Sequence, residues 1–405
     1  MFRIPLAAAS AVVALAARPG LTTVLTFDGA LERARQEAPA ILAARLRPDE
    51  ARGRLAGASV LLRDNPMIEA AGGRRDSDRG VSTDIDTSLN QTFELGDRRR
   101  SRILGAQAEV DREAASAEDT TREVLSDVAT SFLRAIAAED RLRVLRANGD
   151  LAADLLRVAE RRHQAGDIAD LDLNVARLAA ARAHADMRAA EAARDLAFRA
   201  LRVALGMDAG EPLDVRGELR TRHPRPLDEL LVSAEERPDL RMLAGDVRAA
   251  EAEARLGEGF RWPDLGVRVG YKREEGADIP LAGLSVSLPV FTNGQEQRIA
   301  GTARARRLRL ELDARRRAVQ VVVRAGFEAY VHLTAGIEDL ERRALPLLDD
   351  NDALARRSYE AGELSLPDYL LVRRETLGTR LDYVERSLEA ALAAVELEAR
   401  AGVLR

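Results

Sequence analysis

Apolar positions along the chain follow two different periods, and the change from one to the other comes in the same order in each half. Val124, Val128, Phe132 and Ile136 recur every four residues, as do Val319, Val323, Phe327 and Val331, which predicts an apolar seam on one face of a helix. Elsewhere the period is two. Leu265, Val267, Val269 and Tyr271 alternate with Gly266, Arg268, Gly270 and Lys272. After a polar turn at 273–278, Ala282, Leu284, Val286, Leu288 and Val290 alternate with Gly283, Ser285 and Ser287. Successive strand residues point to opposite faces, so this spacing predicts strands with one apolar side. The first half holds a weaker pair, Met67 to Gly73 and Val81 to Phe93, joined by a polar loop at 74–80. Predicted strands therefore cover about 66–73, 81–93, 264–273 and 281–291.

The helical stretches around these strands are also paired. A short helix from Leu25 to near Pro39 and a second from Ile41 to Leu62 match Pro226–Pro238 and Asp239–Gly257. Prolines mark corresponding points, Pro39 with Pro238 and Pro66 with Pro263. After each strand pair comes a very long helix-favouring run, Asp97 to Gln164 and Gln295 to Glu360, each about 100 Å long if helical throughout. Asn148-Gly149 and Pro346 fall at matching depth in these runs and predict a bend or break. Return helices follow at 171–205 and 367–404. The chain thus reads as an internal duplication, 18–206 and 207–405.

The junction of long helix and return helix is the most sharply repeated stretch, at 161–174 and 357–370. At a constant offset of 196, Arg161 meets Arg357, Ala165-Gly166 meets Ala361-Gly362, Ile168 meets Leu364, and Asp172 meets Asp368. A glycine after a helix-favouring run supplies the left-handed residue that ends a helix. Ser365 with Asp368 three residues on and Pro367 between them is a helix-start pattern. Each copy predicts a tight helix–turn–helix tip, and taken alone each is compatible with an ordinary hairpin of a helical bundle.

Composition adds limits. The 405 residues include 3% aromatic and 32% charged side chains, and 46% hydrophobic content rich in Ala and Leu suits long helices packed through small residues. A net charge of −5 gives no drive toward nucleic acid. With no cysteine and only four scattered histidines, neither a disulfide frame nor a built-in metal site is expected. No nucleophile elbow, phosphate loop or His–carboxylate cluster appears, so neither an enzyme nor a cofactor site is expected. Residues 1–17 read as a secretory leader, too short to span a bilayer as a helix.

The strands are near the length a tilted membrane strand needs. Soluble hairpins remain the alternative, above all for the first pair. In lipid, however, an open sheet edge is forbidden, because unpaired backbone groups cannot reach water. Four strands cannot close a barrel, so membrane strands from several copies would have to pool, with the long helices left in water. That argument does not fix the number of copies.

At this point the chain resembles the TolC-like outer-membrane efflux channels, and within them the heavy-metal and resistance-nodulation-division subgroup that includes CzcC. The resemblance is carried by Leu25-Thr26-Phe27-Asp28-Gly29-Ala30-Leu31, by Leu288-Pro289-Val290-Phe291 leading into Gly294, and by the 357–370 tip with its echo at 161–174. It implies a mainly α fold with a small β part, a duplicated helix–β-hairpin–long helix–helix repeat. In a homotrimer, four strands per chain would make a 12-stranded β-barrel in outer-membrane lipid above an α-helical barrel in the periplasm. It also implies a passive exit duct of a tripartite efflux system for metal cations or drugs, joined through a periplasmic adaptor protein to an inner-membrane pump. The tip residues that would dock the adaptor are Arg161, Ala165, Gly166, Ile168, Arg357, Tyr359, Ala361, Gly362, Leu364 and Ser365. Asp172 and Asp368 would ring the periplasmic entrance, although a carboxylate in the first turn of a helix also serves the helix dipole. Leu364 and Leu371 stand where the prototype carries a basic residue and a second aspartate, so its salt-bridged closed state does not carry over. An exit duct for type I protein secretion shares this fold, and a soluble periplasmic coiled-coil scaffold is the rival of a different class.

Overall fold

Two long helical hairpins stand under one small sheet, and the chain passes up into that sheet and back down twice. A computed structural model describes residues 24–404 except 79, 209 and 220–224; the expected leader at 1–17 lies outside the described residues. The first half runs β1 (Val24–Leu25), α1 (Phe27–Glu37), α2 (Pro39–Ser59), β2 (Met67–Ser77), β3 (Gly80–Glu94), α3 (Arg98–Gln164) and α4 (Asp170–Leu205). The second runs β4 (Asp214–Val215), α5 (Leu227–Glu235), α6 (Pro238–Gly259), β5 (Asp264–Glu274), β6 (Ala277–Ser287), α7 (Gln295–Arg343), α8 (Leu345–Glu360) and α9 (Leu366–Ala401).

The sheet order is β2-β3-β5-β6, antiparallel throughout, with β2 and β6 as its two edges. Its turns are tighter than the sequence suggests. Ser77 already pairs with Gly80 and Glu274 with Ala277, so polar residues expected in loops extend the strands. Glu275 and Gly276 both take positive φ, +50° and +81°, the two-residue hairpin geometry that follows the strand twist. The last strand is shifted accordingly. It occupies 277–287 rather than 281–291, because the chain turns across Pro289, where the Val290 amide donates to the Leu288 carbonyl at 2.9 Å.

Two other expectations change. The second long run is not one helix: α7 ends at Arg343 and α8 starts at Leu345, because Pro346 cannot supply the amide that would continue the ladder. At the matching depth α3 passes through Asn148-Gly149 without a break. Glycine costs a helix interior about 1 kcal/mol, whereas proline removes a hydrogen bond and clashes. At the start, Leu25 is not helical but pairs in parallel with Val215 through β1 and β4, and the Thr26 side chain caps α1 by accepting from the Gly29 amide at 3.2 Å.

The main core lies midway along α3. Leu125, Val128, Phe132 and Ile136 pack against Leu31 of α1, Leu201 and Leu205 of α4, Val215, and Val395 of α9. Phe27 meets Phe132 edge-to-face at 5.8 Å. The corresponding seam of α7 is thinner: Val319 and Val323 are buried with Leu230 and Leu397, Phe327 is half-buried, and Val331, expected in the seam, is exposed. Where the hairpins enter the sheet, Gly257 of α6 and Gly294 ahead of α7 touch backbone to backbone. A Cβ on Gly294 would come within 2.1 Å of the Gly257 carbonyl.

Candidate functional site

The sheet register sorts side chains by chemistry. On one face lie Ile68 and Ala70 of β2, Ile85, Leu89 and Phe93 of β3, Leu265, Val267 and Val269 of β5, and Ala282, Leu284 and Val286 of β6, with Gln91 among them and Arg74, Asp76, Arg273 and Asp278 gathered at the turn end. Met67, Ile279, Leu281 and the small Ala71 and Ala277 aside, the other face is polar: Glu69, Arg75, Asp84, Asp86, Ser88, Asn90, Arg268, Lys272, Glu274 and Ser285. Charges on that face neutralise one another across strands. Arg75 pairs with Asp84 at 2.8 Å and also with Glu274; Lys272 reaches Glu274 at 2.7 Å and Arg268 reaches Asp86 at 3.8 Å. The apolar face is exposed, with Ile68, Leu89, Val269, Leu284 and Val286 among the large side chains left uncovered. Among the described strands the sheet has one largely apolar exposed face, one ion-paired face and unpaired edges at β2 and β6, and in lipid such edges would need a partner strand.

At the sheet base the polar face is clamped to the helices. Arg98, almost wholly buried at the start of α3, binds Asp264, and Arg102 binds Glu94 at 2.6 Å. Among the described residues no helix is long and apolar enough to cross a membrane, and no group of side chains could hold a metal ion.

At the far end, the two tips share a backbone plan. Gly166 and Gly362 take φ of +80° and +78°. The Asp167 amide donates to the Arg162 carbonyl at 2.8 Å and the Gly166 amide to His163 at 3.0 Å; Glu363 and Gly362 repeat this onto Ser358 and Tyr359 at 2.9 and 3.2 Å. This pair of bonds is the left-handed helix ending read from the sequence. A Cβ at either glycine would meet nothing within 4 Å, so the requirement there is purely of the backbone.

The tips form one unit. Tyr359 is buried and stacks on Tyr369 at 5.1 Å, the Arg162 guanidinium of the other tip sits over the Tyr359 ring at 5.3 Å, and Leu173, Ala176 and Leu366 complete the cluster. Ile168 and Leu364 pack half-buried against it. Of the predicted tip residues, Arg161, Ala165, Gly166, Arg357, Ala361, Gly362 and Ser365 are the exposed ones. Arg162, Leu366 and Tyr369 were absent from the sequence-based set. The two tyrosines ten residues apart on either side of the turn were the signal for the last of these. Burial raises the Tyr369 hydroxyl above its ordinary pKa.

Asp368 serves its own helix. Its amide donates to Ser365 Oγ at 3.3 Å, and the Ser365 hydroxyl donates back to its carboxylate at 2.5 Å. Asp172, half-buried in the first turn of α4, has no ion pair among the described residues. Above the second tip α8 is fastened to α9: Arg373 reaches Asp352 at 2.7 Å and Arg380 reaches Asp349 at 2.7 Å. Burial works against charge on Arg380, but Asp349 and Asp352 outweigh it and raise its pKa. An apolar groove of about 480 Å³ separates the hairpins, lined by Val175, Leu178, Ala183, Leu370, Leu377 and Leu381.

Comparison with known proteins agrees with this geometry. Residues 30–207 match the family model described as outer membrane efflux protein. The chain is 25% identical over 364 residues to the cobalt-zinc-cadmium resistance protein CzcC of Cupriavidus metallidurans, spanning 89% of this chain and 86% of that one. Among solved structures it superposes on the CmeC outer membrane channel of Campylobacter jejuni with a TM-score of 0.78 at 16% identity, over 100% of this chain and 94% of that one. The outer membrane protein VceC of Vibrio cholerae gives 0.77 at 17%, over 93% and 96%. The superpositions establish the fold.

Proposed function

We propose, from the match of residues 30–207 to the outer membrane efflux protein model and the likeness to CzcC over most of the chain, that this chain is the exit duct of a tripartite efflux system. Three copies pool their strands into one barrel in the outer membrane and their hairpins into a tunnel through the periplasm. Cargo enters from an inner-membrane pump by way of a periplasmic adaptor, and the energy of transport is spent in the pump. The observation that carries this reading is the sheet: one exposed apolar face for lipid, one ion-paired face for a water-filled lumen, and an unpaired edge on each side, β2 and β6, for the next copy.

The cargo proposed is divalent transition-metal cations, on the strength of the likeness to a cobalt-zinc-cadmium resistance protein over most of the chain. The adaptor docks on the exposed tip surface of Arg161, Ala165, Gly166, Arg357, Ala361, Gly362 and Ser365, with Tyr359, Ile168 and Leu364 holding that surface in shape from behind. Asp172 and Asp368, in three copies each, line the entrance with negative charge that favours cations.

Fractionation and a resistance assay test this together. The protein is expected in detergent extracts of the outer membrane as a heat-sensitive trimer, and a deletion strain should lose tolerance to cobalt, zinc or cadmium. Recovery in the soluble periplasm would overturn the channel reading, and unchanged metal tolerance would overturn the cargo. Arg161→Glu with Arg357→Glu should abolish cross-linking to the adaptor while the trimer persists; retained cross-linking would remove the docking assignment.

A further inference from the structure

Helices α2, α3, α6 and α7 pack side by side in that order, so α2 and α7 flank the row as β2 and β6 flank the sheet. Both flanking helices have an uncovered face. On α2, Leu46 is 63% exposed and a Cβ on Gly53, two turns on, would meet nothing within 4 Å. On α7, Leu310 is 71% exposed and Ala303, two turns back, is exposed too.

The internal duplication supplies a template for what these faces fit. The first repeat meets the second where α3 packs on α6. There a Cβ on Gly105 would come within 3.5 Å of the Ala252 Cβ, and one on Gly245 within 3.0 Å of the Arg112 Cβ. Asp111 binds Arg248 at 3.2 Å across the same contact. Gly96 and Gly294, both at positive φ ahead of the long helices, stand 198 residues apart; Pro39 and Pro238, which open α2 and α6, stand 199 apart. At these offsets Gly105 and Ala252 correspond to Ala303 and Gly53, again one glycine and one alanine with the places exchanged. Arg112 and Gly245 correspond to the two exposed leucines, Leu310 and Leu46. Asp111 and Arg248 correspond to Arg309 and Asp49, an opposite pair with the signs exchanged.

We infer that α7 of one copy packs on α2 of the next in the register of α3 on α6. Ala303 then meets Gly53 of the neighbouring copy, Leu310 meets its Leu46 and Arg309 its Asp49. The inference rests on the three-copy reading given above; what it adds is which helix faces meet and at what level. Each member of the ion pair already has a surface partner in its own chain, Arg309 with Glu251 at 2.5 Å and Asp49 with Arg52. A guanidinium has five donors and a carboxylate about four acceptor sites, so both have capacity left. The exchange of signs also tells the two kinds of contact apart. Setting α7 on the α6 of another copy would oppose Arg309 to Arg248, and setting α3 on another α2 would oppose Asp111 to Asp49, so the wrong pairings repel.

Because the chain has no cysteine, disulfide trapping reads this register directly. Ala303→Cys with Gly53→Cys should oxidise to a ladder of covalent dimer and trimer, removed by reductant, since the template puts the two Cβ atoms within disulfide reach. Gly105→Cys with Ala252→Cys should form the same bond inside one chain and run as monomer. Ala303→Cys with Leu46→Cys, two turns out of register, should give about tenfold less ladder. A trimer that yields no ladder from the first pair, or as much from the shifted pair, overturns the register and leaves the three-copy reading standing. A wild-type protein that is monomeric in detergent takes that reading down as well. The charges are tested separately. Asp49→Arg should make the trimer dissociate about tenfold more readily in a denaturant series, and adding Arg309→Asp should recover most of the loss. No loss, or a loss that the second change deepens, overturns the ion pair.

Discussion

The two halves of the chain run through the same elements, yet α3 is one helix of 67 residues while its counterpart is split into helices of 49 and 16. The halves also differ in what covers them. The middle of α3 is enclosed by α1, α4, β4 and α9, whereas α7 carries Leu310, Val321 and Val331 uncovered. A duplicated pattern therefore produces a rigid half and a jointed half. The distinction comes from single residues, Pro346 against Asn148-Gly149, and not from a different plan. The jointed half is also the one more tightly laced above its tip, where Asp349 and Asp352 of α8 meet Arg373 and Arg380 of α9.

The largest expected effect tests the difference in burial. Phe132→Ala should destabilise the protein by about 3–5 kcal/mol in thermal or denaturant unfolding, and Phe327→Ala by roughly half of that. Equal losses would mean that assembly buries the α7 seam as deeply as α3 is buried within one chain. Next comes the joint. Pro346→Ala should fuse α7 and α8, gaining about 1–3 kcal/mol of local helix stability, seen as slower amide exchange at 343–348. No change in exchange would place the break in the packing around Ala344 and not in the proline.

The tips offer a smaller contrast. Ser365 caps α9, but Ala169 at the same place on α4 offers no side-chain cap. Ser365→Ala should cost about 1 kcal/mol and Ala169→Ser should gain a similar amount, measured as the unfolding midpoint of each variant. The smallest effect is set by pH. Asp239 stands where the first half has the exposed Ala40, and burial alone would raise its carboxyl; Arg237 at 2.9 Å and Arg315 at 3.1 Å more than offset that and hold it below the usual carboxylate range. A depressed carboxylate stabilises the fold above its unfolded-state pKa, and that contribution is lost as pH falls through the folded-state value. Acid should therefore loosen the α6–α7 contact before the α2–α3 contact, and Asp239→Asn should remove the difference in a pH series of exchange rates.

Much of this was legible in advance because long periodic stretches average over many residues. The duplication, the strand pairs, the long hairpins and both glycine tips follow from spacing alone. What escaped the sequence was whatever depends on a partner. Leu288 and Val290 alternate as a strand does, yet among the described residues no strand pairs with them and the Val290 amide turns back onto the Leu288 carbonyl. Leu25 and Val215 form a contact two residues long, too short to leave a period. Val331 keeps the α7 spacing but reaches no neighbour, and Tyr359, placed by the tip pattern at the docking surface, is covered by Tyr369 and by Arg162 of the other repeat. Spacing shows that a face exists; it does not show what comes to cover it.

In the channel proposed above, the hairpin turns would make the outer rim. β5 reverses into β6 within two residues, and Ser77 at the end of β2 already pairs with Gly80, so each subunit of such a channel would meet the exterior with short backbone reversals. Turns of that length offer little to fold over a mouth, to fit a protease or to serve as a flexible epitope, which would leave closure of the passage to the opposite end.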